Sequence, residues 1–202
     1  VRKIAIRKVN RPKSAEEGAE LSYVPLILVV AVLAWFVASY NKLVRLRNQV
    51  RNAWKQIDVQ LKRRHDLIPN LVEVVKDYMS YEQETLAKVI EARGAAVSAK
   101  GAAAQAKAEN VLTESLKSLF AVVENYPDLK ANQNVASLQE ELTGTENKIS
   151  FARQFYNDSV MTYNNAIQAI PGNLIASMFS FLEETYFEAA AGDREVPKAS
   201  LR

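Results

Sequence analysis

Apolar residues first gather into one unbroken stretch, then settle into steps of three and four along most of the remaining chain. No residue in 21–41 is charged, and 24–40 is nearly all apolar. About 20 helical residues cross a hydrocarbon core of about 30 Å, so this stretch predicts a transmembrane helix over 21–41. Tyr23 and the residues 35–40, with Trp35 and Tyr40, put aromatic rings toward both ends, where a membrane interface favours them. Pro25 falls in the first turn, where its missing N–H costs little. Two other readings compete. A buried core helix rarely runs this long without a charge. A cleaved signal peptide would use the basic residues ahead of the run and the small-residue site Val37-Ala38-Ser39, but its apolar region is usually shorter. The helical pattern also continues straight past that site, which favours an uncleaved signal anchor.

Beyond the membrane, Leu43, Leu46, Val50, Trp54, Ile57 and Leu61 keep one helix face apolar. The first helix should therefore reach about His65, a stalk of roughly 35 Å at 1.5 Å per residue. Asp66 followed by Pro69 reads as a break and restart. A second helix then carries Leu71, Val74, Val75 and Tyr78, followed by Leu86, Val89 and Ile90; Ser80 with Gln83 resembles a capping box and predicts a kink near 80. Residues 94–108 are Ala-rich, have little to bury, and should be weakly packed. A short third helix carries Val111, Leu112, Leu116, Leu119, Phe120 and Val123 and ends at Tyr126-Pro127, with turn chemistry over 127–132. The fourth has the most regular stripe, from Val135 through Leu142, Ile149, Tyr156 and Tyr163 to Ile170, and Pro171-Gly172 stops it. Residues 174–187 predict a short aromatic-rich helical segment, and the end of the chain a loose tail. The fold class is all-α: a transmembrane helix continuous with a long stalk helix, and an antiparallel bundle of about four helices. The divisions are a flank at 1–20, the membrane helix at 21–41, the bundle at 42–190 and a flexible tail at 191–202.

Composition narrows the chemistry. Gly and Pro, at six each in 202 residues, are scarce, and cysteine is absent, which excludes disulfides, thiolate metal sites and a Cys nucleophile. The net charge of +3 is too small to point to nucleic acid, and no nucleic-acid motif is present. Basic residues cluster just after the apolar run. Lys42, Arg45, Arg47 and Arg51 lie close enough to contact anionic headgroups, whereas Lys62, Arg63 and Arg64 lie about 30 Å along the helix, well beyond the Debye length. The plainer reading of this set is a solvated helix face plus a topology signal. On the N-terminal side Glu16, Glu17 and Glu20 lie nearest the membrane. Counting Lys and Arg near the span places the bundle on the cytoplasmic side of the membrane. Val1 in place of Met reads as an alternative start codon, trimming or truncation, any of which alters that count.

Several segments in order carry a family resemblance. They are YNKLVRLRN at 40–48 with Ala53-Trp54, IDVQLKRR at 57–64, DLIPNLV at 66–72 and YPDLKAN at 126–132. LQEEL at 138–142, TENKI at 145–149, ARQFYN at 152–157 and the pair Tyr163-Asn164 continue the series. Together they resemble the LemA family over roughly residues 23–188. The resemblance implies a bacterial membrane protein with a short N-terminal segment, one span and a helical domain. It implies no enzymatic activity and no agreed biochemical function; relatives in magnetosome-forming bacteria are associated with building an internal membrane compartment. One departure stands out: Val135 and Ala136 occupy the place of a bulkier aromatic residue, leaving the first turn of the fourth helix less anchored.

No catalytic constellation is evident. His65 sits in a polar corner without an oriented Ser or second partner, and reads as a solvated or capping residue. Glu82 and Glu84, like Glu140 and Glu141, lack the Glu-x-x-His spacing of bundle metal sites, and Gly94 and Gly101 belong to no phosphate loop. The polar residues Arg47, Asn48, Asp58, Arg63, Arg64, Asp66, Asn70, Asn132, Glu146, Asn147 and Asn157 read as interhelical hydrogen-bond partners, or else as the lining of a groove for a partner segment. The aromatic segment 174–187 either caps the apolar end of the bundle or exposes a patch for association. The expected function is a non-enzymatic membrane-anchored scaffold, without cofactor or metal. It would homo-oligomerise through its long apolar seams and organise membrane or membrane-protein partners on the lipid bilayer. The alternative is a membrane-linked binding module or regulator of a transporter, protease or sensor.

Overall fold

The steps of three and four that begin at Leu43 run on through Pro69 without a break. In the computed structural model, which describes residues 13–187 except Ser80 and their side chains from Tyr23 onward, the first helix α1 spans Lys13–Lys76. The restart expected at Asp66 is absent, for a specific reason. Proline at 69 has no N–H to offer the carbonyl of His65 one turn earlier. Arg93 takes that place, its Nε donating to His65 O at 2.7 Å. A side chain from another helix thus satisfies the acceptor that the proline releases. Pro25 likewise lies inside α1 rather than in its first turn.

Five further helices follow: α2 Gln83–Ser98, α3 Ala102–Val123, α4 Pro127–Lys130, α5 Gln133–Gln168 and α6 Gly172–Met178. No strand occurs among the described residues. The chain is all-α, with α1, α2, α3 and α5 as the four bundle helices and α4 and α6 as short additions. The expected kink near 80 is a full break between Lys76 and Gln83; Ser80 lies outside the described residues, and α2 starts at Glu82 without a side-chain cap. The expected loose tail and most of the N-terminal flank also lie outside the described residues.

Direction follows from the contacts. Ile57 and Leu43 share a core with Ile149 and Ile167, while Val75 shares one with Val135, so α5 runs antiparallel to α1. Contacts of Arg93 and Glu109 with His65 place α2 and α3 alongside the middle of α1 as a hairpin, and α3 rises in the same direction as α1. The stalk continues the apolar run as expected, and from Leu43 onward it is itself a wall of the bundle.

The Ala-rich stretch is the clearest revision. Ala92, Ala96, Ala102 and Ala106 are all buried, and α3 begins at Ala102 rather than near Val111. Small side chains here let α2 and α3 approach closely instead of leaving them without a core. The turn between them rests on Gly101, whose φ of +83° and ψ of 158° suit glycine almost alone. A Cβ there would touch nothing. Gly101→Ala should therefore lower stability by about 1–3 kcal/mol through backbone strain alone, seen as a shifted urea midpoint with an unchanged slope.

The last expected helix is also revised. α6 ends at Met178, residues 179–180 form a turn, and residues 181–187 form a strap without regular secondary structure. Ser180 adopts a φ of +53°, and Phe181 N–H donates to Ala176 O at 2.9 Å. This is the Schellman stop, with serine in the left-handed position that glycine usually fills. Phe181 and Ala176, the flanking apolar pair of that motif, are both buried. Meanwhile Val135 is buried and Asn132 caps α5 through Asn134 N at 2.9 Å, so the first turn of α5 is anchored without an aromatic residue.

Candidate functional site

Two apolar cores divide the bundle. The membrane-proximal one ends at Leu61 on α1 and the distal one begins at Ile68. Between them lies a polar layer built on consecutive residues of α1, Arg64 and His65, and on Glu109 of α3, which is 0% exposed. Glu109 Oε1 accepts from Gln105 Nε2 at 3.0 Å and meets His65 Nε2 at 2.7 Å. Glu109 Oε2 lies 3.4 Å from Arg64 Nη1, which also pairs with Glu146 of α5 at 2.8 Å. Arg64 Nη2 donates to Thr113 Oγ1 at 2.8 Å, and Gln105 Nε2 reaches back to Ala96 O at 3.0 Å. All four bundle helices meet in this one layer. His65 is therefore a buried partner of a carboxylate, not a solvated corner residue.

Glu109 escaped the sequence reading because it directly follows the Ala-rich stretch, which was read as weakly packed. Its signal was present: tracing the α3 stripe back from Leu116 and Leu112 lands on Glu109, then on Gln105 and Ala106. A carboxylate on an apolar stripe requires a buried partner.

A second polar constellation grips the strap. Asn157 Nδ2 donates to Phe187 O at 3.0 Å while its Oδ1 accepts from Phe187 N at 2.8 Å. One heptad on, Asn164 does the same to Glu184, at 2.9 and 3.0 Å. The tyrosine preceding each asparagine adds a third bond: Tyr156 Oη donates to Thr185 O at 2.8 Å and Tyr163 Oη to Leu182 O at 2.9 Å. Burial pushes the Tyr156 phenol up to about 12, with the Glu184 carboxylate adding to the rise, which keeps its proton available for donation. The helix face of α5 thus reads strap backbone as a neighbouring strand would. The Tyr-Asn pair repeated at a spacing of seven was the available signal.

The other sequence-selected residues separate into groups. Asn132 caps α5, Arg64 and Glu146 join the buried layer, and Asn157 clamps the strap. Arg63 makes an exposed ion pair with Glu141 at 3.5 Å. Asn48, Asp58, Asp66, Asn70 and Asn147 are exposed. Of the basic set near the apolar run, Lys42, Arg45 and Arg51 are exposed, but Arg47 turns inward, its guanidinium 4.8 Å from the Phe181 ring centre. The apolar N-terminal part of α1 is long enough to cross a membrane, and none of it is buried within the molecule.

Open grooves line the surface of the described bundle. A groove of about 610 Å³ between α1 and α5 is lined by Val59, Phe151, Ala152 and Phe155, with Lys55 and Lys148 among its polar residues. Among the described residues no group of three or more His, Asp or Glu is placed to hold a metal ion.

This architecture has counterparts among known proteins. Protein LemA of Metamycoplasma hominis is 25% identical over 179 residues, covering 87% of this chain and 82% of its own. Magnetosome protein MamQ 2 of Paramagnetospirillum magneticum is 25% identical over 203 residues, covering 87% and 75%. Magnetosome protein MamQ of Magnetospirillum gryphiswaldense is 23% identical over 200 residues, covering 86% and 74%. None of these names is that of an enzyme. A family model described as the LemA family matches residues 53–200, most of the bundle and the strap, and the chain belongs to that family.

Proposed function

We propose that this protein is a membrane-anchored, non-enzymatic helical scaffold that associates side by side with copies of itself and so organises membrane or membrane-protein partners. The observation that carries this reading is the unpartnered apolar face between α1 and α5, where Phe151 is 73% exposed and Val59 and Phe155 are exposed beside it. An anchor holds every copy in one plane with one orientation. Val59 lies about 30 Å along α1 from the end of the apolar run, so the same face stands at the same height in each copy. Lateral contact between copies then needs no rearrangement. Magnetosome proteins among the relatives agree with a membrane-associated role. Lys42, Arg45 and Arg51 face the solvent nearest the span, where anionic headgroups would meet them, and the count of basic residues supports a bundle on the cytoplasmic side of the inner membrane.

The test is the mass of the full-length protein in mild detergent, by light scattering or native mass spectrometry. A discrete homo-oligomer is expected. Phe151→Asp with Phe155→Asp should weaken association by about 100-fold or more, given roughly 1.5–3 kcal/mol for each buried phenylalanine. A wild-type monomer would overturn the scaffold and leave the regulator of a transporter, protease or sensor as the reading to pursue.

A further inference from the structure

The α5–α6 corner exposes a second apolar surface, at the end of the bundle opposite the α1–α2 and α3–α5 connections and beside the base of the apolar run. Residues 169–182 carry no charged side chain, although the flanks on both sides are polar. Ile175, Ala176 and Phe181 from this stretch are buried, as a small core element requires. Its remaining large apolar residues are not. Ile170 is 84% exposed, Leu174 61%, Met178 68% and Leu182 78%. Such a concentration of exposed apolar side chains marks an interaction surface rather than ordinary scatter.

Its position identifies the occupant. The Phe179 ring lies 4.8 Å from Tyr40 and 6.1 Å from Phe36, both in the last turns of the apolar run of α1. Phe181 meets Tyr40 from the other side at 5.8 Å. The corner therefore sits at the level where the span leaves the hydrocarbon, not above it. Trp35 and Val37, exposed on α1 at the same level, make its apolar surface continuous with that of the span. Where the uncharged stretch ends, Gln168 Nε2 donates to Glu183 Oε1 at 2.8 Å, closing the base of the corner with a polar clasp. Lys42 and Arg45 lie exposed within about one and a half helical turns of Tyr40, where lipid phosphates would be.

We propose that α6 and its flanks form a second membrane contact, an interfacial wedge whose residues Ile170, Leu174, Met178 and Leu182 enter the boundary between headgroups and acyl chains. This rests on the reading of α1 as the anchor. A protein held by one helix alone can tilt and spin about it. With the wedge seated, the bundle is held at a second point, which fixes the height and rotation of the α1–α5 face. The contact is with lipid in general, since its exposed large side chains are apolar.

Because the chain has no cysteine, single labels can be placed cleanly. Leu174→Cys and Met178→Cys, each labelled with an environment-sensitive NBD dye, are compared in full-length protein reconstituted in vesicles of phosphatidylcholine with a minority of phosphatidylglycerol. Val29→Cys reports the span and Asn125→Cys the distal end. Doxyl-labelled lipids should quench the dyes at 174 and 178 by roughly twofold or more, shallow quenchers acting better than deep ones, as a depth of about 5–10 Å requires. Position 29 should respond best to deep quenchers and position 125 to neither. Quenching at 29 with none at 174 or 178 overturns the wedge and leaves the anchor standing. Absence of quenching at 29 overturns the anchor itself. All four sites are exposed, so loss of fold is not the expected cost, and unchanged helix content by circular dichroism verifies it.

Discussion

Glu109→Leu is expected to destabilise the bundle by about 3–5 kcal/mol, the cost of removing one member of a buried ion pair. Arg64 stays 2% exposed with its nearest fully buried counter-charge gone, and Gln105 and His65 lose the oxygen they share. Glu146 still pairs with the guanidinium, which keeps the loss from being larger. Urea unfolding of the full chain in detergent, followed by circular dichroism, measures it. The informative comparison is Arg64→Met combined with Glu109→Leu. If the layer matters through mutual pairing, the double variant recovers much of the loss, because well-packed apolar replacements of a buried pair are often neutral or better. If it is no more stable than Glu109→Leu alone, pairing is not what holds the layer. Such a layer between two apolar cores also opposes sliding. Shifting α3 by one turn against α1 would separate Glu109 from Arg64 and His65 and place charge in one of the flanking cores, so the layer favours a single register.

These two apolar cores were legible in advance wherever a stripe of large residues sufficed. The stripe of α5 from Val135 onward, its stop at Pro171-Gly172 and the uncharged run of α1 each follow from local periodicity and local breakers. What was not legible depends on partners distant in sequence. Pro69 breaks no helix because Arg93, 24 residues on, bonds the carbonyl it releases. The Ala-rich stretch packs because a second helix lies close enough for alanine to fill the gap, a property of the pair rather than of either segment. Residues 181–187 have helical composition, yet they form no helix, because their backbone is bonded to side chains of α5 instead. The polar residues chosen from sequence divide in the same way. Arg64, Glu146 and Asn157 find partners on other elements, while Asp58, Asp66 and Asn70 face solvent, and no local pattern separates the two sets.

Asn157→Ala combined with Asn164→Ala should release the strap while leaving the four bundle helices folded. The two asparagines supply four hydrogen bonds to Glu184 and Phe187, each worth about 0.5–1.5 kcal/mol net, so strap opening should become easier by roughly 2–6 kcal/mol. That corresponds to about 30-fold or more in the open population. Glu183 and Glu184 provide the reporter, since a glutamate-specific protease cuts them only when the strap lifts from α5. Opening also uncovers Trp54, whose ring lies 5.4 Å from Tyr156 and 6.2 Å from Phe187, so its emission should shift to the red in a Trp35→Phe background. Phe187→Ala serves as the contrast. It removes the buried ring beneath the Arg153 guanidinium but keeps both clamps, and should raise cleavage less than the double asparagine variant. Equal cleavage in the two, or a fall in overall stability with no selective cutting at 183 and 184, would mean that the apolar anchor rather than the clamp secures the strap. Selective cutting would establish that α5 holds the strap by its backbone, with the side chains of Leu182 and Tyr186 free to vary without loosening it.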